Sequence, residues 1–390
     1  MQIAPGVSGT LLYNFGPDGN DVVLLIAQNY STFTYDAITG SLELELGQDT
    51  NLTASGSGNS DIFQLTQAAS SQVIWVQFGG DPAPAGSTPT KLVIQPGLAG
   101  DVTIRQRGSV ATGTNLVTLD GLNLAGGMSI SLDQGAVNAV SIGANGLGLA
   151  GGLIVETSLG SITQTGNLTI GGTADLTAKN DILLGRTGND FGAAVSAKAS
   201  GKIQLSDAGN LSTGKLSALS AELVAGGSIE TGATSVTDLT LQSGGALTQA
   251  SGTTLTVSGL ATLSTTGAAN LGSVTNNFAN LAVQKAGSLN LVDLDTLTLV
   301  EAGTLKGGFN LETISGDLLV SVPGSKISAV GDIRLATQPA KKVSVLGSSG
   351  LMVQSVTGGV EIASGMLDVI GNALTLTAAK TVTVPLTQLV

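Results

Sequence analysis

Carboxylates form the nearest approach to a catalytic grouping in this chain. Asp293 and Asp295 are followed by Glu301, and Lys285 and Lys306 lie near them in the sequence. Enzymes that cleave polysaccharides group several carboxylates on one face, often with a basic side chain, to donate and accept protons. Asp293 and Asp295 are two residues apart and would share one face of a β-strand. Exposed strand positions are polar in any case, and this region has almost no aromatic ring for stacking on a sugar. We therefore expect no enzyme.

Two glycine-rich strings are similar to ligand-binding motifs. Gly146, Gly148 and Gly151 have the spacing of a dinucleotide-binding loop, but such a loop must open a helix, and the residues that follow favour a strand. Residues 171–176 are similar to a calcium-binding nonapeptide repeat, but no tandem copy follows them. The first string is predicted to be a turn of a coil and the second to have an ordinary structural role, and no cofactor is expected.

Asp18, Asn20 and Asp21 are a weak candidate for a metal site, because their oxygen atoms could bind calcium. The same residue types also suit the tip of a hairpin, which is the simpler interpretation. Cys and His are absent, which excludes disulfides, thiolate or imidazole metal sites and any His acid or base.

The composition indicates a folded chain that does not bind nucleic acid. Apolar residues make up 42% of the 390 residues, which excludes a disordered chain, and charged residues only 11%. The net charge of −12 argues against binding to phosphates, and no stretch is long and apolar enough to predict a membrane span. Aromatic residues contribute only 3%, so a core of small aliphatic side chains would suit a narrow tube.

Part of the chain repeats itself after about 86 residues. The string Gly-Ser-Ile-Thr-Gln at residues 160–164 returns as Gly-Ala-Leu-Thr-Gln at 245–249. Asn-Asp-Phe at residues 189–191 returns as Asn-Asn-Phe at 276–278. Within each copy, short β-branched runs separated by Gly or Asn recur about every 21 residues, which is typical of strands in a solenoid.

A parallel β-solenoid is the predicted fold of residues 97–390, with the duplicated segments at 160–244 and 245–330. A coil of about 21 residues cannot bury its own apolar side, whereas stacked coils share an interior and pair their strands with both neighbours. Phe191 and Phe278 occupy equivalent positions in the two copies and are expected to pack inside.

Residues 1–96 differ in composition and are predicted to form a small, acidic, all-β domain that serves as a cap or as an assembly or adhesion module. Eight of the eleven aromatic residues lie there. Residues 10–15 and 21–27 flank a Gly-Pro-Asp-Gly-Asn turn and predict a hairpin. Ser41–Leu46 alternates Leu with polar residues, which predicts a strand.

The repeated strings carry a resemblance to a known family. Residues 160–170, 188–191 and 205–211 resemble the shaft repeats of filamentous-haemagglutinin-like exoproteins, over roughly residues 100–390. Those proteins are secreted or surface proteins of Gram-negative bacteria. The resemblance implies a right-handed parallel β-helix and an extracellular, non-catalytic role in adhesion or matrix building.

The final residues, 381–390, predict an apolar β run, so that either the chain is part of a longer shaft or this end accepts another copy of the chain. We expect head-to-tail stacking in which the aromatic N-terminal region covers this run, giving a filament because the contact does not close. The candidate interface residues are Tyr13, Phe15, Tyr30, Phe33, Tyr35, Val382, Val384, Leu386, Leu389 and Val390.

The predicted function is that of a bacterial extracellular structural protein. It would be either the shaft of a surface adhesin or the subunit of a self-assembling filament. The alternative is a surface module that binds glycans or calcium, and a polysaccharide lyase or hydrolase is less favoured. The expected partners are the chain itself, or host or surface glycans or proteins, without nucleic acid and without a membrane span.

Overall fold

The chain divides into two compact units, Met1–Ser206 and Asp207–Val390. The structure is a computed structural model that describes residues 126–132, 137–322, 326–347, 350–371 and 373–384 and, before residue 126, the strands given below. Side chains are described within residues 119–384. Within each unit, parallel strands form β-solenoid coils of about 21 residues. The described residues contain no helix, and therefore none that could span a membrane.

The strands of the first unit are β1 (Gly9–Tyr13), β2 (Val23–Ala27), β3 (Tyr30–Asp36), β4 (Ser41–Leu46), β5 (Asn51–Ser55), β6 (Ile62–Gln67), β7 (Gln72–Gln77), β8 (Thr90–Ile94), β9 (Val102–Gln106), β10 (Thr114–Leu119), β11 (Leu122–Leu124), β12 (Met128–Leu132), β13 (Val137–Ile142), β14 (Leu147–Leu149), β15 (Leu153–Thr157), β16 (Ile162–Gln164), β17 (Leu168–Ile170), β18 (Ala174–Ala178), β19 (Ile182–Leu184), β20 (Asp190–Phe191), β21 (Val195–Lys198) and β22 (Lys202–Asp207).

Three stacks of parallel strands build the coils of the first unit. One stack contains β12, β15, β18 and β21, a second contains β13, β16, β19 and β22, and a third contains β11, β14, β17 and β20. The strands are short because each side of a coil is only a few residues wide. Their residues alternate between the interior and solvent, as in β15, where Leu153 and Val155 are buried and Ile154 is exposed.

The predicted hairpin is confirmed, since β1 and β2 pair antiparallel. β3 and β4 also pair antiparallel, and β4 has the predicted bounds. From β4 onward the pairing is parallel: β4 with β6, β6 with β8, β8 with β10, β5 with β7, and β7 with β9. Parallel pairing thus occurs on both sides of residue 97, and a separate domain at residues 1–96 stays a prediction.

The strands of the second unit are β23 (Leu211–Ser217), β24 (Ser220–Ala225), β25 (Ile229–Thr231), β26 (Thr234–Val236), β27 (Asp238–Ser243), β28 (Leu247–Gln249), β29 (Leu255–Thr265), β30 (Ala268–Leu271), β31 (Asn277–Lys285), β32 (Ser288–Asp293), β33 (Leu297–Ala302), β34 (Thr304–Leu305), β35 (Phe309–Thr313), β36 (Leu318–Val320), β37 (Lys326–Ala329), β38 (Ile333–Thr337), β39 (Lys342–Gly347), β40 (Leu351–Ser355), β41 (Val360–Ala363), β42 (Met366–Gly371), β43 (Leu374–Thr377) and β44 (Val382–Thr383).

One long stack organises the second unit. It runs through β23, β25, β28, β30, β32, β35, β38, β41 and β44, all parallel. Another stack contains β24, β27, β29, β31, β33, β36, β39 and β42, and a shorter one contains β34, β37, β40 and β43.

Inward-facing side chains form continuous apolar columns because the register keeps equivalent positions on top of one another. The column of the long stack consists of Leu211, Ile229, Leu247, Ala269, Leu289, Phe309, Ile333 and Val360, all buried. Burial of each large side chain stabilises the fold by roughly 1.5–3 kcal/mol. Phe191 and Phe278 are also buried, as predicted from their equivalent positions in the repeat.

Close approach of successive turns explains part of the glycine content. A Cβ atom at Gly244 would overlap the carbonyl oxygen of Gly226 in the neighbouring coil, and one at Gly226 would overlap the carbonyl oxygen of Ala208. Only glycine allows the backbone of one corner to stack this closely on the next.

Candidate functional site

A buried pair of side-chain amides links consecutive coils in the first unit. Asn189 is fully buried, and its Oδ1 accepts hydrogen bonds from the backbone N–H of Leu168 (2.9 Å) and from Nε2 of Gln164 (2.8 Å). Its Nδ2 donates to Oε1 of Gln164 (2.9 Å) and to the carbonyl oxygen of Leu184 (3.0 Å). The two amides therefore form a closed ring of two hydrogen bonds and also satisfy backbone groups of two strands.

The second unit contains the same arrangement. Asn276 is fully buried and accepts hydrogen bonds from the backbone N–H of Leu255 (2.9 Å) and from Nε2 of Gln249 (2.7 Å). It donates to Oε1 of Gln249 (2.9 Å) and to the carbonyl oxygen of Leu271 (3.0 Å). Partner residues and distances match those of the first unit nearly atom for atom.

These pairs explain which strings of the sequence recur. Gln164 and Gln249 end one repeated string, and Asn189 and Asn276 begin the other. Sequence reasoning attributed the second string to its Phe and overlooked the amides. The signal was present, however, since a Gln and an Asn recurring together suggest that the two side chains meet.

Asp293 is also buried, and it caps a turn. Its Oδ1 accepts the backbone N–H of Phe278 (2.7 Å) and its Oδ2 accepts that of Asp295 (3.1 Å). Burial away from water raises the pKa of Asp293 from 3.8 to about 7, although the two backbone hydrogen bonds act in the opposite direction; the charge of Asp295 adds to the rise.

The prediction that Asp293 and Asp295 share one strand face is wrong. β32 ends at Asp293, whose side chain points inward, and the chain then turns so that Asp295 is exposed. Asp295 accepts a hydrogen bond from Nδ2 of Asn277 (3.2 Å). Alternation applies only while the strand continues, so these two carboxyl groups do not form a pair on one surface.

Of the other predicted sites, the glycine-rich string that begins at Gly146 lies within the described residues and the candidate calcium site does not. Gly146 closes a turn with φ of 80°, whereas Gly148 lies on the strand β14, where no turn occurs. The strand β15 follows Gly151 and Gly152, so the string is followed by a strand as predicted. Asp18, Asn20 and Asp21 lie outside the described residues. Within the described part of the chain, no group of three or more His, Cys, Asp or Glu residues could hold a metal ion.

Most of the predicted interface residues also fall outside what the structure describes. These are Phe15, Leu386, Leu389 and Val390, together with the side chains of Tyr13, Tyr30, Phe33 and Tyr35. Val382 lies on β44 and is 48% exposed, and Val384 is half-buried.

A row of outward-facing polar side chains follows the long stack of the second unit, and the sequence did not predict it. The row consists of Asn270, Asn290, Asn310, Arg334 and Glu361, which occupy directly paired positions on successive strands. We call these five residues the polar row.

Hydrogen bonds run along the polar row. Nδ2 of Asn290 donates to Oδ1 of Asn270 (2.7 Å), and Nδ2 of Asn310 donates to Oδ1 of Asn290 (2.7 Å). Nη1 of Arg334 donates to Oδ1 of Asn310 (3.2 Å) and to Oε2 of Glu312 (2.7 Å). The side chains are thereby held in one orientation.

Two grooves adjoin the polar row. One has a volume of about 560 Å³, and its lining includes Asn310, Arg334 and Glu361. The other has a volume of about 470 Å³, and its lining includes Asn270 and Asn290. The hydrogen bond between Asn290 and Asn310 joins residues of the two grooves, so one face of the unit carries both.

Comparison with known families supports a repeat protein. Residues 127–198 and 217–285 match the model of a family described as repeats of unknown function (DUF5649). Each matched segment contains one complete buried amide pair. No curated protein matches the chain. The matched repeats and the solenoid together fit a β-helix repeat protein.

Replacing Asn276 by Ala should lower the free energy of unfolding by at least about 2 kcal/mol, because the N–H of Leu255, the carbonyl of Leu271 and Oε1 of Gln249 each lose their hydrogen bond to it. The matched control is Asn277→Ala, which removes a neighbouring amide at the surface and should cost less than about 1 kcal/mol. Urea unfolding followed by circular dichroism measures both. Equal losses in the two variants would contradict a special role for the buried amide.

Asp293 should make stability depend on pH. Because its pKa is higher in the folded than in the unfolded chain, its contribution is fully present below pH 3.8 and is lost as the pH rises to about 7. The loss is on the order of 4 kcal/mol. Asp293→Asn should remove this fall, whereas Asp175→Asn, at an exposed strand position, should retain it. Urea midpoints measured from pH 4 to pH 8 test this, and parallel profiles for wild type and Asp293→Asn would refute it.

Proposed function

We propose that this protein is a non-catalytic structural shaft, secreted or displayed at a bacterial surface, either within an adhesin or as the subunit of an extracellular filament. The observation that carries the proposal is the use of the repeated polar residues. Asn189 with Gln164 and Asn276 with Gln249 are the residues that the sequence duplicates, and both pairs hold one coil to the next. A repeat that retains the hydrogen bonds between its coils is suited to a structural role, in which the protein must keep a fixed shape.

Composition supports the same proposal. The buried side chains form continuous apolar columns, and only 11% of the residues are charged. Both features favour a fold that gains stability as coils are added. The absence of Cys is compatible with export, since a chain without thiols cannot form wrong disulfides on the way. The resemblance of the repeated strings to filamentous-haemagglutinin-like shafts adds the bacterial surface as the setting.

The filament form of the proposal needs a strand that accepts another copy of the chain. The candidate is β44, where Val382 is 48% exposed although its paired residue Val360 belongs to the buried column. In this form, the aromatic N-terminal region of one copy covers Val382 of the next.

Negative-stain microscopy of the purified chain tests the proposal. Elongated particles of constant width are expected, as discrete short rods for an adhesin shaft or as long fibres for a filament. In the second case, Val382→Glu should convert fibres to rods, because a charge would be buried at the contact. Val274→Glu, at a position that is already 57% exposed, should leave fibres intact. Compact, rounded particles would refute the proposed shaft.

A further inference from the structure

We propose that the polar row of the second unit binds an extended, neutral polysaccharide. This inference goes beyond the structural role proposed above and does not depend on it. It rests on the hydrogen-bonding capacity left along the row, on the two grooves beside it and on the charges around it.

The asparagines of the polar row retain unused hydrogen-bonding groups. Asn290 uses one N–H toward Asn270 and one oxygen lone pair toward Asn310. A side-chain amide has two N–H groups and two oxygen lone pairs, so Asn290 retains one donor and one acceptor. The row thus presents a hydrogen-bond donor and an acceptor side by side. A sugar hydroxyl is both a donor and an acceptor and can pair with them.

Arg334 extends this capacity. Its Nη1 is used by Asn310 and Glu312, and its Nε lies 3.5 Å from Oε2 of Glu361. Among the described residues, its Nη2 donates no hydrogen bond, so two further N–H groups are available beside the larger groove. The ion pairs hold the guanidinium plane in place, which lowers the entropy lost when a ligand binds.

The shape of the two grooves favours an extended ligand. Each groove has a volume within the range of about 300–1,000 Å³ typical of ligand pockets. Because the polar row links the two grooves, a ligand that uses both must be extended. The rungs of a β-sheet repeat about every 4.8 Å, so a polymer that presents hydroxyls regularly along its length can contact several rungs.

The charged side chains near the polar row disfavour an acidic ligand. Among the described residues, Arg334 is the one cation that lines the larger groove, which the carboxylates of Asp332 and Glu361 also line. Arg334 is in turn paired with Glu312 and Glu361, so an acidic polymer would be repelled. Nucleic acid needs several cations along its phosphates. A peptide strand would need a free sheet edge, whereas the strands that carry the polar row (β30, β32, β35, β38 and β41) all have paired neighbours on both sides. A neutral polysaccharide, bound through its hydroxyl groups and not by stacking on aromatic rings, remains the ligand whose chemistry fits.

The test compares three proteins in native gels that contain soluble β-glucan, mannan, galactan or polygalacturonate. They are the wild type, the double variant Asn290→Ala with Asn310→Ala, and the control double variant Thr240→Ala with Thr262→Ala. The control residues are also outward-facing and directly paired, but they lie on β27 and β29. Circular dichroism and urea midpoints establish that all three are folded.

At least one neutral polymer should retard the wild type and the control equally, and polygalacturonate should not. The asparagine double variant should bind that polymer at least about tenfold more weakly. The proposal is overturned if no neutral polymer retards the wild type, if polygalacturonate retards it more, or if both double variants bind equally. It is also overturned if sedimentation shows that wild-type self-association, lost in the asparagine variant, occupies this face instead.

Discussion

Hydrogen bonding between the backbones of successive coils is the constraint on which the rest of this structure depends. A three-residue strand such as β17 has no partner within its own coil and pairs instead with β14 before it and β20 after it. Both edges must be paired for the buried backbone groups to be satisfied. The apolar columns follow from this pairing, because the parallel register places each inward side chain over its equivalent in the coil before.

The pairing between backbones is interrupted at the corners of the coils. There, buried polar side chains form hydrogen bonds with the backbone groups instead. Asn189 and Asn276 supply a carbonyl oxygen and an amide to backbone groups that strands leave unpaired, and each is completed by a Gln from the preceding coil. Asp293 does the same with a carboxyl group that takes the N–H of Phe278. A buried polar network is stabilising only when every member has a partner, which explains why Gln and Asn recur together.

The strands could be predicted from the sequence, but the polar row and the position of Asp293 could not. Alternation identified β4 at its observed bounds, and the repeated strings indicated a solenoid, because both are local patterns. The polar row joins residues that are 20 and then 24 positions apart, so its members cannot be aligned until the register of each coil is known. Asp293 was misplaced for a related reason, since its direction depends on where β32 ends.

The most direct test of this account is a double-mutant cycle on the buried amide pair. Unfolding free energies of Gln249→Ala, Asn276→Ala and the combined variant should give a coupling energy of about 0.5–3 kcal/mol, because each amide loses its partner in either single variant. The same cycle between Asn276 and Asn310, which share no hydrogen bond, should be additive to within about 0.5 kcal/mol. Additive losses for Gln249 and Asn276 would contradict the claim that their amides join one coil to the next.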